Sequence, residues 1–195
     1  MLPGCEPAGR QLLAHVHAAF AGCNERVYAF FHYFGMSCYA RHGKLFEGFA
    51  PVHQLLLDSG FTVEHENVYY SSTLTACEAP AVALRWQDRS PENQQACDFL
   101  LDGRMVGGCE LHFLPNSDIA YLRWIYVNEE LRGQRIGTAC MAALRHDLYQ
   151  RGVRRFDTDT ARNNLVAQHY YEKNGFTCEG LTRSYFTAEG TEWTL

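Results

Sequence analysis

The chain has 195 residues, which suits one domain with an appendage or two small ones. With 47% hydrophobic and 20% charged residues it reads as an ordinary soluble globular protein, and no apolar run reaches the ~18 residues of a spanning helix, so no membrane partner is expected. A formal net charge of -5 provides no global basic field, which argues against nucleic acid.

In chain order, Gln11–Phe20 and Glu25–Phe34 read as helices, with Gly35 ending the second. Ser37–Tyr39 could begin a short strand. Pro51–Ser59 is a third helix, carrying Leu55, Leu56 and Leu57 and stopping at Gly60. Phe61–Ser71 alternates loosely, although Val68-Tyr69-Tyr70 has strand composition. Residues 72–80 and 87–95, around Pro80 and Ser90-Pro91, read as loops and mark boundaries. Ala81–Trp86 is a strand. Cys97–Leu101 and Met105–Leu114 flank Asp102-Gly103, the strongest short hairpin signal in the chain. Ile119–Val127 is a long strand. Ile136–Arg151 is a helix with apolar positions 136, 140, 143, 144 and 148. Val153–Thr160 is a strand, Asn164–Lys173 a helix ended by Gly175, and Phe176–Phe186 a last strand. This order predicts an α/β (α+β) fold with a mixed sheet flanked by helices. Its organisation is an N-terminal extension over residues 1–75 and a second domain over residues 76–195.

The N-terminal M-L-P-G-C-E-P-A-G-R lacks the basic-then-apolar layout of a signal peptide. Eight cysteines are scattered without a C-x-x-C pair, so no metal is expected, and buried reduced thiols in a cytoplasm are the default. His32, His42 and His53 have no ligand spacing. Arginines cluster at Arg132, Arg135, Arg145, Arg151, Arg154 and Arg155. For the last four a solvated helix face and loop is the favoured reading.

Tyr126–Ala139, Y-V-N-E-E-L-R-G-Q-R-I-G-T-A, carries most of the functional signal. A strand, a glycine-containing turn and a helix start gather backbone N–H groups at the positive end of a helix dipole. Gly133 and Gly137 let the backbone approach a ligand closely, Thr138 can add a hydroxyl, and two arginines favour a phosphate. The dinucleotide G-x-G-x-x-G and the P-loop G-K-[S/T] patterns both fail here, for want of a third glycine and of a lysine. Further on, Asn164 and Tyr171 stand two helical turns apart and share a face.

These two segments resemble the motifs of the GCN5-related N-acetyltransferase (GNAT) superfamily over about residues 81–186. Arg132-Gly133-Gln134-Arg135-Ile136-Gly137 matches the acyl-CoA loop R/Q-x-x-G-x-G/A, except that Arg135 replaces its first motif glycine. Asn164, Ala167, Tyr171, Gly175 and Phe176 match N-x-x-A-x-x-x-Y-x-x-x-G-F in full. The resemblance implies that Arg132, Gly133, Gln134, Arg135, Ile136, Gly137 and Thr138 hold the pyrophosphate of acetyl-CoA. It implies that the main chains of Ile125 and Val127 bond the pantetheine arm as an added strand, with the Val127 N–H polarising the thioester carbonyl. It further implies that the Asn164 side chain bonds the pantetheine amide and that Tyr171 protonates the departing thiolate. Asn164 also suits a helix N-cap, and Tyr170 and His169 compete with Tyr171 by proximity. The proton acceptor is harder to read. Many family members place a Glu where this chain has Tyr121, so Glu110 on the neighbouring strand is the candidate; a plain exposed strand residue is the other reading.

The implied function is acetyl-CoA-dependent N-acetylation of a primary amine. A catalytically degenerate acyl-CoA sensor, or a protein-interaction module built on the first 75 residues, is the alternative. The family's two early helices do not fit between Trp86 and Cys97. Asn24, Val27, Phe31, Gly35 and Met36 repeat the spacing of the second motif, and Gly60-Phe61-Thr62-Val63-Glu64 echoes Gly175-Phe176-Thr177-Cys178-Glu179. Residues 1–75 are therefore either a degenerate half-GNAT repeat or amphipathic helices with glycine caps. Covering the sheet, shaping the acceptor cleft and a homodimer contact are the roles open to them.

Overall fold

A computed structural model describes residues 5–22, 26–30, 43–78, 81–89 and 93–187. The elements run α1 (Glu6–Ala19), β1 (Tyr28–Ala29), β2 (Leu45–Phe46), α2 (Ala50–Asp58), β3 (Phe61–Thr73), β4 (Ala83–Arg89), β5 (Gln94–Leu101), β6 (Arg104–Phe113), β7 (Ile119–Val127), α3 (Ile136–Gln150), β8 (Arg155–Ala161), α4 (Leu165–Lys173) and β9 (Thr177–Thr187). They fall into two compact units. One comprises Met1–Asn67 with Gly180–Leu195, the other Val68–Glu179.

In the first unit β1 and β2 both pair antiparallel with β9, through Tyr28↔Phe186 and Leu45↔Arg183. Leu45, Leu56, Phe61 and Tyr185 form its core, packed against Leu13, Val27, Ala29, Val52 and Val63. The Tyr185 hydroxyl meets His53 Nδ1 at 2.8 Å, which gives His53 a structural partner.

The helix expected over Glu25–Phe34 is not what the described part of that segment forms. Tyr28 and Ala29 are strand, and Thr187 N–H donates to Val27 O while Val27 N–H donates to Thr187 Oγ1, both at 3.0 Å. An available strand partner satisfies these backbone groups, and pairing overrides a weak helical pattern. Phe30 then turns the chain at φ 56°. The echo of the second motif fails at Val27, which is not helical where Ala167 is. Its other members Asn24, Phe31, Gly35 and Met36 lie outside the described residues, as do Ser37–Tyr39, His32, His42, Pro80 and Ser90-Pro91. The second echo has matching geometry. Two nine-residue helices, α2 and α4, end at Gly60 (φ 81°) and Gly175 (φ 83°), each followed by a buried phenylalanine that leads into a strand. A left-handed glycine after a helix is common, so this match fits either reading of residues 1–75.

In the second unit the strand order is β3-β8-β7-β6-β5-β4. β4, β5, β6 and β7 form an antiparallel meander, and β7 pairs parallel with β8 through the α3 crossover. The Asp102-Gly103 turn joins β5 to β6 as expected. The intervals expected to be loops are shorter than the sequence suggests, because β3 extends through Thr73, β4 through Arg89, and β5 begins at Gln94. α3 buries Cys140, Met141, Ala143, Leu144 and Leu148. A fully buried Leu or Met side chain contributes about 1.5–3 kcal/mol, so this face anchors the crossover.

Two compositional expectations are corrected. The four later arginines are not simply solvated. Arg145 donates to Ser72 Oγ at 2.7 Å, Arg151 stacks over Trp86 at 4.4 Å, Arg154 over the Tyr149 ring at 4.2 Å, and Arg155 pairs with buried Asp157 at 2.8 Å. The guanidinium groups of Arg145, Arg151 and Arg154 lie over the rings of Phe176, Trp86 and Tyr149. Among the described cysteines only Cys97, Cys109 and Cys140 are buried; Cys5, Cys77 and Cys178 are exposed.

Candidate active site

β7 and β8 begin side by side and then part. Their parallel ladder runs from Ile119↔Arg155 to Leu122↔Thr158, yet β7 continues to Val127 and β8 to Ala161. The cause lies in β7. Its register against β6 shifts between Glu110↔Trp124 and Leu111↔Leu122, leaving Arg123 as an extra residue. Such a bulge bends its strand and raises the local twist, which opens a notch on the β8 side.

The main chain of β7 past the bulge faces this notch. Asn128 N–H donates across to Val106 O of β6 at 2.9 Å. Backbone groups alternate in direction along an antiparallel strand, so those of Val127 and Ile125 point away from β6. The Val127 carbonyl accepts instead from Arg132 Nε at 3.3 Å.

The chain then passes through a short turn at Glu129–Leu131 into α3. Glu130 O accepts from Gln134 Nε2 at 3.0 Å, which folds the loop on itself. Arg135 is the N-cap residue of α3, has φ 63°, and makes no side-chain cap bond. The N–H groups of Ile136, Gly137 and Thr138 have no intrahelical acceptor by position and carry the positive end of the dipole. Arg132, Gly133, Gln134, Arg135 and Thr138 are all exposed. At Gly137 an added Cβ would stand 3.3 Å from the Tyr170 ring and 3.6 Å from Val127 Cγ2, so a side chain here would fit only tightly. The loop therefore suits a diphosphate, with several N–H donors, exposed guanidinium groups and no competing side-chain cap.

α4 contributes three residues. Asn164 is its N-cap and accepts from Ala167 N–H at 3.2 Å. The Tyr170 hydroxyl donates to Gly137 O at 2.8 Å, tying α4 to the first turn of α3. Tyr171 is 6% exposed and packs against Tyr70, Tyr170 and Phe176. Burial raises the Tyr171 hydroxyl above the usual phenol range, a hydrogen bond with the Thr158 side chain pulls it back, and the nearby Asp159 charge adds to the rise. It therefore stays protonated through the neutral range and can donate. Since Thr158 is the last residue of β8 paired with β7, Tyr171 stands at the fork. His169 is exposed on α4.

Glu110 lies on the sheet face opposite α3, since its neighbour Cys109 is on the face where Cys97, Cys109 and Cys140 interact. Its oxygens are occupied: Arg123 Nη1 donates to Oε1 at 2.7 Å and Trp124 Nε1 to Oε2 at 3.1 Å. The same face holds buried His112 and Tyr121. The Tyr121 hydroxyl donates to Asp159 Oδ1 at 2.7 Å. No sequence motif marks Arg123, Trp124 or Asp159. A faint signal existed in the Asp157-Thr158-Asp159-Thr160 run, where carboxylates alternate with small polar residues inside a predicted strand.

This arrangement sets a parallel pair that parts beside a buried tyrosine next to an exposed helix start without a side-chain cap. The acetyltransferase (GNAT) family model matches residues 60–176, and the chain belongs to that family. Members carry out acetyl transfer from acetyl-CoA. The fold is similar to that of a GCN5-related N-acetyltransferase from Kribbella flavida, with 13% identity over 95% of this chain and 77% of that one at a TM-score of 0.65. A tandem GNAT protein from the clavulanic acid biosynthesis pathway is similar at 15% identity over 94% of this chain and 70% of that one, with a TM-score of 0.62. A GNAT-family acetyltransferase from Colwellia psychrerythraea shares 14% identity over 95% and 74% of the two chains, with a TM-score of 0.57.

Proposed function

We propose that this chain acetylates the primary amine of an acceptor by direct attack on acetyl-CoA within a ternary complex. Residues 76–195 would form the acetyltransferase domain and residues 1–75 an extension to it. The observation that carries the reading is the fork at Leu122/Thr158, with Tyr171 beside it and the uncapped start of α3 at its mouth.

In this reading the amides of Arg132–Thr138 take the pyrophosphate, and the Arg135 side chain is free to reach a further phosphate group. Ile125 and Val127 offer main-chain groups to the pantetheine arm. Val127 N–H polarises the thioester carbonyl, and one such preorganised donor contributes roughly 3 kcal/mol of barrier reduction. Asn164 would exchange its N-cap bond for the pantetheine amide. The amine nitrogen forms its bond to the carbonyl carbon as the C–S bond breaks, and Tyr171 gives its proton to the sulfur. Glu110, with both oxygens engaged, acts by fixing Arg123 and Trp124 on the acceptor side. Six free cysteines among the described residues support a reducing compartment such as the cytoplasm.

The test is release of free thiol from acetyl-CoA across a panel of primary amines, with a melting scan in parallel. Acetyl-CoA should raise the melting temperature, and at least one amine should release thiol. A chain that gains no stability from acetyl-CoA cannot act this way. One that gains stability but turns over no amine is an acyl-CoA sensor.

A further inference from the structure

We propose that Asp159 is the catalytic base that takes the proton from the acceptor ammonium, oriented by Tyr121; this rests on the acetyltransferase reading above. Asp159 is the first residue of β8 beyond the last rung of its ladder with β7, so its backbone stands where the notch opens. Its side chain lies on the sheet face shared by Tyr121 and Asp157, because residues two apart on a strand point the same way and Tyr121 pairs with Asp157. The Tyr121 hydroxyl fixes it at 2.7 Å. Tyr121 is 4% exposed, and burial raises its hydroxyl far above the usual phenol range, with Asp159 adding to the rise. The hydroxyl is thus a permanent donor that holds one carboxylate oxygen in place.

The neighbouring carboxylates do other work. Asp157 is 1% exposed and is enclosed by Tyr69 at 2.6 Å and Arg155 at 2.8 Å. Glu110 is held on both oxygens by Arg123 and Trp124. Glu172 accepts from Tyr70 at 3.1 Å. Asp159 alone of these four combines partial exposure with a place at the fork, and its charge reaches Tyr171, the proposed acid. Base and acid thus stand at the same end of the β7–β8 ladder, Tyr171 bonded to Thr158 and Asp159 one residue further along β8.

The protons balance. The ammonium gives one proton to Asp159, and the freed lone pair forms the C–N bond. The C–S bond breaks and the sulfur takes the Tyr171 proton. The second nitrogen proton returns to the Tyr171 oxygen through solvent, the third stays on the amide, and Asp159 passes its proton to bulk water.

The experiment compares wild type, D159N and Y121F for acetyl-CoA melting shift and for kcat/KM with the best amine across pH. Removing a positioned base costs roughly 10²–10⁴-fold, so D159N should lose at least about a hundredfold near neutral pH while keeping the acetyl-CoA shift. Its residual rate should rise tenfold per pH unit, because it then uses only amine that has already lost its proton. Y121F should lose about tenfold with the wild-type pH slope. D159N within threefold of wild type overturns the proposal and leaves the acetyltransferase reading intact. Should D159N fail to fold, a Y121F rate equal to wild type overturns it instead. A wild type with no acetyl-CoA shift overturns both.

Discussion

The Tyr170 hydroxyl donates to the carbonyl of Gly137 at 2.8 Å, and a Cβ on that glycine would press on its ring at 3.3 Å. This one contact locks the start of α3 against α4. Y170F should lower stability by about 1 kcal/mol, the usual value of such a bond. G137A asks the ring to give by only a few tenths of an ångström and should cost less than about 1.5 kcal/mol, with a matching small loss of acetyl-CoA affinity. Calorimetric titration with acetyl-CoA, beside urea unfolding, separates the two effects.

Arg135 explains how the loop tolerates losing a motif glycine. It holds φ 63°, the left-handed conformation that glycine reaches without strain. A residue with a side chain costs roughly 1–2 kcal/mol there, partly offset by the larger unfolded-state entropy of glycine. R135G should therefore raise stability by about 0.5–1 kcal/mol, or roughly 2 °C in melting temperature. R135A should give no such gain, since any Cβ carries the same strain. If the guanidinium also grips phosphate, both variants should lose affinity for acetyl-CoA at low salt and converge with wild type at high salt.

Tyr171 separates an enzyme from a sensor. Y171F keeps the ring contacts with Tyr70, Tyr170 and Phe176 and removes only the hydroxyl. Acetyl-CoA should still raise the melting temperature by the wild-type amount. Thiol release should fall by about 10²-fold, the lower range for a lost general acid. An unchanged rate would assign the thiolate proton to another donor.

His112 gives the fold an acid-sensitive point. Burial lowers its pKa below 6.5, the Arg123 charge lowers it further, and Glu110 partly opposes them. The unfolded chain therefore binds the proton more readily. Stability is fully present above pH 6.5, falls as the pH drops below it, and levels off beneath the folded-state pKa. Urea midpoints measured from pH 7.5 downward should show this loss, and H112N should flatten the part of it that begins near pH 6.5.

The sequence made the second half of the chain legible because its signals are local. Asp102-Gly103 sets a hairpin through turn chemistry. Gly175 ends α4, and Cys140, Ala143, Leu144 and Leu148 mark the buried face of α3 by spacing alone. The Arg132–Thr138 turn and the Asn164–Tyr171 segment were legible for the same reason, since each motif is a short run of residues close together in sequence. The segment Tyr28–Ala29 was misread because its state is set by β9, more than 150 residues away, whose backbone groups offered it a partner.

The sequence by itself determined the fold class and the family, because periodicity, caps and contiguous motifs depend on near neighbours along the chain. Only the tertiary structure placed Asp159 beyond the last β7–β8 rung and beside Tyr121. The extra residue Arg123 parts β7 from β8, the register sets Tyr121 beside Asp157 and Asp159, and Arg123 and Trp124 close over Glu110. Those placements arise from strand register and side-chain direction between segments far apart in sequence. No single stretch of residues carries that information.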